Sequence, residues 1–215
     1  MRVSEDGLKL IQAYEGLGDG NPNTVLLEPY VCPAHVWTVG WGYALKTPSG
    51  QIIDQDVFGK AKAAQLAVEA MQRRFGKQAI TAAEADILLR EEIGAYERGV
   101  EKALGKGVAG TSQHQFDAMV SFAYNLGVGN FDASAVKRLH AAGNRRIGDV
   151  SLGDLYRKSV NKADPSSMPV AYVRWSNAQG KWMLGLFRRR LAEMMVYGGH
   201  DLATALATTR NWKPA

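Results

Sequence analysis

Three side chains near the N-terminus have types and spacing that could do chemistry. Glu15 closes an amphipathic segment in the run Tyr14-Glu15-Gly16. Cys32 and Thr38 follow, with five residues between them. A carboxylic acid can hand its proton to a leaving oxygen. A second group across the reacting carbon, a thiolate or a hydroxyl-held water, can then attack. Glycoside hydrolysis needs that division of labour. Burial of a carboxyl among aromatic residues favours its protonated form, as a general acid requires. A glutamate at a helix end is ordinarily just solvated, so the surrounding elements must carry the argument.

Those elements can be read from pattern. Ser4 is placed to cap a helix over about 5–16, with Glu5 and Asp6 at its positive end and Leu8 and Ile11 at helical spacing. Gly16 and Gly18 stop it. Residues 18–29 are rich in turn formers and read as a loop. Tyr30 to Ala44 is rich in β-branched and aromatic residues broken by Gly and Pro, which fits short antiparallel strands. Residues 56–76 are Ala-rich and helical. Thr81 and Glu84 form a capping box ahead of the stripe Leu88, Leu89, Ile93, Tyr96, Val100 and Leu104. Ser112 and Gln115 form a second box, opening a segment apolar on nearly every side, hence central and buried. A further helix is expected at 134–142, a mixed loop over 143–170, and a last helix ending near 197. The expected class is α+β, mostly α. A small β-containing N-terminal lobe (about 17–55) and a larger helical lobe (about 56–197, with helix 5–16 packed on it) form one domain, 1–197. A cleft between the lobes suits an extended ligand, and 198–215 is a loosely held tail.

The run Tyr14-Glu15-Gly16, followed by Tyr30-x-Cys32-Pro33-Ala34-x-Val36-Trp37-Thr38-Val39-Gly40-Trp41-Gly42, resembles the phage-lysozyme and endolysin family, glycoside hydrolase family 24. In that family a helix-terminal Glu is followed by Asp or Cys, and then by a Thr leading a Thr-x-Gly-aromatic-Gly strand. Two more blocks are similar to the family and stand in its order. SQHQFDAMVSFAYNLGVGNF (112–131) looks like its central helix and glycine turn. RWSNAQGKWMLGLFRRRLAE (174–193) looks like its Arg-Trp, glycine-turn and Arg-rich helix.

The resemblance implies a lysozyme-like fold and hydrolysis of the β-1,4 bond between N-acetylmuramic acid and N-acetylglucosamine in bacterial peptidoglycan. Glu15 would be the general acid, Cys32 the nucleophile or the holder of the attacking water, and Thr38 a positioner of that water or of the intermediate. Asn125 would face the cleft, an arginine among Arg188, Arg189 and Arg190 would approach Glu15, and Trp41 or Trp175 could pack on sugars. No cofactor and no metal are implied.

The chain also departs from the family. The interval from Glu15 to Cys32 holds sixteen residues, about double the usual length, and carries Asp19 and Glu28 as alternative second carboxylates. Tyr43 stands where relatives often have His. Segments near 47–79 and 143–170 are longer than in compact members.

Bulk properties narrow the remaining choices. Lys plus Arg number 26 and Asp plus Glu 21, a net charge of +5, which favours anionic partners without choosing one. Nucleic acid would rest on that charge alone, since no phosphate loop is present. One cysteine allows no internal disulfide and is far short of a zinc site. The N-terminus lacks an apolar signal-peptide core and no run is long enough to span a membrane. The expectation is therefore a monomer made in the host cytoplasm, with no stable membrane anchor, that needs a holin or similar pore to reach the wall. Three rivals stand beside this reading: a lytic transglycosylase on the same substrate, an inactive wall-binding module, and a cysteine hydrolase pairing Cys32 with His35 or His114.

Overall fold

The computed structural model describes residues 1–16 and 26–214. Its elements run in the order α1 (Glu5–Glu15), β1 (Tyr30–Val31), β2 (Trp37–Val39), β3 (Tyr43–Ala44), α2 (Gln55–Phe58), α3 (Lys60–Phe75), α4 (Ala82–Leu104), α5 (Gln113–Leu126), α6 (Val128–Ala133), α7 (Ala135–Ala141), α8 (Leu152–Val160), α9 (Met168–Val173), β4 (Asn177–Ala178), β5 (Lys181–Trp182), α10 (Leu184–Tyr197) and α11 (Leu202–Arg210). The protein is mostly helical with small antiparallel sheets, the α+β class expected. It divides into two compact units. One comprises Glu15–Glu92, the other Met1–Tyr14 with Ile93–Ala215.

In the Glu15–Glu92 unit, β1, β2 and β3 form one antiparallel sheet. Tyr30 pairs with Thr38 and Thr38 with Ala44, while Val39 pairs with Tyr43. Paired residues share a face and neighbours alternate. Tyr30, Thr38 and Ala44 therefore line one face, and Trp37, Val39 and Tyr43 the other. The second face meets α3, whose buried Ala63, Ala67, Ala70 and Met71 recur at helical spacing. Small alanines let the helix lie close. The core continues through Leu27, Leu45, Ile53, Ile80, Ala85 and Leu88. Gly40 turns β2 toward β3 with φ +60, and a Cβ there would sit 2.7 Å from the Cβ of Ala85. Backbone conformation and crowding both demand glycine. This unit reaches past the expected boundary at residue 55, because α2, α3 and the start of α4 complete the core under the sheet.

In the other unit, α5 is buried over Phe116–Ala123, consistent with its all-round apolar pattern. Its capping box is present: Gln115 N–H donates to Ser112 Oγ and Ser112 N–H donates to Gln115 Oε1. Phe122 meets Phe131, Tyr172 and Trp175 edge-on, at 6.4, 5.4 and 5.9 Å between centroids. The helix α10 packs on α5, α9 and α11.

Two segments differ from expectation. Residues 143–170 contain a helix, α8, opened by Ser151, whose hydroxyl accepts from the Asp154 N–H. The helix is held by Ser159, which donates to Val173 O at 2.8 Å and accepts from the Trp182 indole at 3.0 Å. The C-terminal tail is no loose end. Asp201 caps α11, Ala205 and Thr209 are buried, and Trp212 stacks on Phe187 at 4.8 Å. Two small buried residues and one aromatic anchor suffice to dock a helix too short for a visible stripe.

His140 lies fully buried in this unit, with Nδ1 at 2.6 Å from the Tyr197 hydroxyl and Nε2 at 2.8 Å from Thr111 Oγ1. Burial, and then the charge of Arg145, push its pKa down to about 4, against an ordinary 6.5. The unfolded chain binds the proton first, so this contribution to stability is complete above pH 6.5 and is lost as pH falls from 6.5 toward 4. Denaturant titrations should lose about 1 kcal/mol per pH unit over that window. This is below the limiting slope of about 1.4 because half-exposed Arg145 is partly screened. A flat profile between pH 6.5 and 4.5 would show that the ring is already protonated in the native state.

Candidate active site

Gly16, with φ +67, takes the left-handed conformation that ends α1 and leaves Glu15 half-buried in the last turn. Cys32 sits where β1 turns back. Its N–H donates to Val36 O and its carbonyl accepts from the His35 N–H, both at 2.9 Å. His35 closes the turn with φ 62. The turn sets the register that pairs Tyr30 with Thr38.

Tyr30 links the three candidates by charge and by register. Its phenol is raised above the ordinary tyrosine range, first by burial, then by the charges of Cys32 and Glu15. Thr38 is its cross-strand partner on the same face. Glu15 and Cys32 thus act electrostatically on Tyr30, and Thr38 is its cross-strand partner, all within the Glu15–Glu92 unit. Thr38 is 3% exposed, and its hydroxyl donates to Val36 O at 3.0 Å. Tyr30 did not stand out as functional from sequence. The only available signal was its place two residues before Cys32.

The alternative carboxylates are placed differently. Glu28 is exposed, beside the bridge between Leu27 and Ile80, and Asp19 lies outside the described residues. The cysteine-hydrolase pairing finds no support. The His35 Nδ1 is 2.9 Å from Asp56 Oδ2, and both His114 ring nitrogens are engaged in the other unit, by Ser112 Oγ at 2.9 Å and Tyr197 O at 3.0 Å.

The remaining candidates are spread over both units. The Trp41 indole donates to Asp86 Oδ1 at 2.6 Å, and its ring packs on the core of the Glu15–Glu92 unit. In the other unit, Asn125 Oδ1 accepts from Arg190 at 3.1 Å. Arg188 Nε donates to the Trp212 carbonyl at 2.9 Å. The guanidinium stacked on Tyr14, the residue before Glu15, belongs to Arg189, at 5.9 Å from the ring centroid. The glycine turn before α10 sets a register that points Arg189 and Arg190 inward, and that register was not readable from the sequence. Both arginines are buried around Glu193, whose Oε1 lies 3.1 Å from Arg189 Nε and 2.8 Å from Arg190 Nη2 and accepts from Ser121 Oγ at 2.8 Å. Among the described residues, no group of three or more His, Cys, Asp or Glu side chains is placed to hold a metal ion. No helix among the described residues is long and apolar enough to cross a membrane.

Comparison with known proteins places the chain in a family. An endolysin of Bacillus phage PZA is 27% identical over 92% of this chain, which spans 55% of that protein's length. An endolysin of Acyrthosiphon pisum secondary endosymbiont phage 1 is 25% identical, with 92% of this chain and 98% of its own length aligned. Among solved structures, the endolysin from Escherichia coli O157:H7 phage FAHEc1 superposes with a TM-score of 0.59 at 24% identity, covering 92% of this chain and 93% of that one. That likeness bears on the fold. The phage lysozyme family model matches residues 23–193. By that match, over most of its length, the chain belongs to the phage lysozyme family.

Proposed function

We propose that the protein is a muramidase of the endolysin type, cutting the β-1,4 bond between N-acetylmuramic acid and N-acetylglucosamine in peptidoglycan. The observation that supports the reading is that Tyr30, the cross-strand partner of Thr38, feels the charges of both Glu15 and Cys32. Glu15 gives its carboxyl proton to the glycosidic oxygen as the bond to the anomeric carbon breaks. Either the Cys32 thiolate forms a glycosyl–sulfur bond, which a water deprotonated by the Glu15 carboxylate then breaks to return the thiolate, or a water held by Thr38 attacks directly and gives its proton to the Cys32 thiolate. Asn125 contributes by holding Arg190, and Trp41 by stiffening the turn that follows Thr38. Residues 1–197, extended through α11, form the catalytic domain. The product would act as a monomer on the wall after release from the host cytoplasm through a holin-type pore.

Digestion of purified peptidoglycan tests the reaction. Reducing N-acetylmuramic acid ends are expected, whereas 1,6-anhydro ends would replace hydrolysis by transglycosylation. Proton NMR of the first-formed anomer then separates the two roles of Cys32. A cysteine nucleophile gives retention, with activity lost in Cys32→Ser. A water-holding cysteine gives inversion, and Cys32→Asp stays active.

A further inference from the structure

After β3 the chain makes a tight turn, in which Gly50 N–H donates to Thr47 O at 3.0 Å and Gly50 takes φ +84. The last turn of α3 borders the same space. Between them lies a pocket of about 460 Å³. Its charged lining is wholly basic: Lys46, Arg73 and Arg74, with Tyr43 and Thr47 beside them and apolar Leu45 and Ala70 also in the wall. Two of the cations are held in place. Arg73 donates to the Lys46 carbonyl. Arg74 pairs with Glu91 and lies over the Tyr43 ring at 5.6 Å from its centroid.

We propose that this pocket binds a phosphorylated sugar or polyol unit of an anionic polymer. Lys46, Arg73 and Arg74 are exposed and give the cavity a positive rim, with Glu91 offsetting Arg74. A phosphate offers several oxygens to guanidinium forks and an ammonium, more than a carboxylate does. The volume exceeds that of a bare phosphate and falls in the range of small-ligand sites, leaving room for a ring or polyol against the apolar wall. Tyr43 lies on the sheet face opposite Thr38, so a ligand here does not occupy the face of the proposed active site. The inference is independent of the muramidase reading. Binding here would hold the protein against a polymer of that kind.

NMR titration of the intact chain with glucose 6-phosphate, inorganic phosphate and gluconate provides the test. Glucose 6-phosphate should shift the Thr47–Gly50 amides and bind several-fold more tightly than inorganic phosphate, with gluconate weakest. Arg73→Gln should weaken it about tenfold and exposed Lys46→Gln about threefold, both with native thermal stability. Arg73→Gln should still cut soluble glycan fragments at the parent rate, so a failure of the pocket is separable from a failure of the active site. Sedimentation with walls carrying glycerol-phosphate polymer, or with vesicles bearing phosphorylated glycolipid, names the source by whichever retention Arg73→Gln abolishes. Two results overturn the proposal. Gluconate binding as tightly as glucose 6-phosphate would remove the phosphate assignment. Unchanged titrations in Arg73→Gln would reduce the arginines to partners of the α3 C-terminal dipole.

Discussion

Glu15→Gln is expected to abolish lysis of permeabilised Gram-negative cells, with turnover falling about 10²–10⁴-fold, the usual contribution of a positioned acid or base. The substitution keeps the shape of the side chain and removes its charge and its transferable proton. Glu15 is half-buried at the end of α1, where Gly16 leaves the helix. Fold effects should therefore be small, with the unfolding midpoint close to the parent. The pairing of the two measurements matters. A variant that is folded and inert assigns the proton to Glu15. A variant that lyses cells at the parent rate moves the acid elsewhere, with exposed Glu28 the first residue to try. Tyr30→Phe belongs in the same experiment, because it removes the phenol on which the Glu15 and Cys32 charges act while leaving the ring in place.

The second large effect is structural. Glu193→Leu should destabilise the protein by about 3–5 kcal/mol, the usual consequence of removing one partner of a buried ion pair. Arg189 is 3% exposed, Arg190 and Glu193 are fully buried, and both guanidiniums meet Glu193 Oε1. Removing the acid leaves two buried positive charges with less compensation, over an aromatic shelf of Tyr14 and Phe122. For a chain of this size the melting temperature should drop by about 6–20 °C. Differential scanning calorimetry measures it. A loss under 1 kcal/mol would mean that water reaches the cluster and solvates the guanidiniums. Because Arg189 stacks on Tyr14, activity at a temperature where the variant is still folded should fall as well, through misplacement of the end of α1.

The contrast between these two sites shows where pattern is informative. Thr81 and Glu84, like Ser112 and Gln115, are capping boxes in the sequence and in the structure, because a cap is a contact between residues three apart. The α5 segment is legibly buried because no face of it is polar. The register of the Arg-rich helix is not legible, since it depends on how the β4–β5 turn delivers the chain into α10. Nor is α8, a short helix whose polar surface hides its Leu155 and Ser159 contacts.

Local spacing and side-chain type made most of the strands and helices legible in the sequence, with two capping boxes, the family resemblance and the three residues proposed for the chemistry, while α8 and α11 escaped. The tertiary structure alone shows that the guanidinium over the Tyr14 ring is that of Arg189 and not of Arg188, whose carbonyl accepts from the Tyr14 hydroxyl, and that the C-terminal residues dock as α11. Each of those depends on contacts between residues far apart in the chain, and helix and strand periodicity carry no information about which distant faces meet.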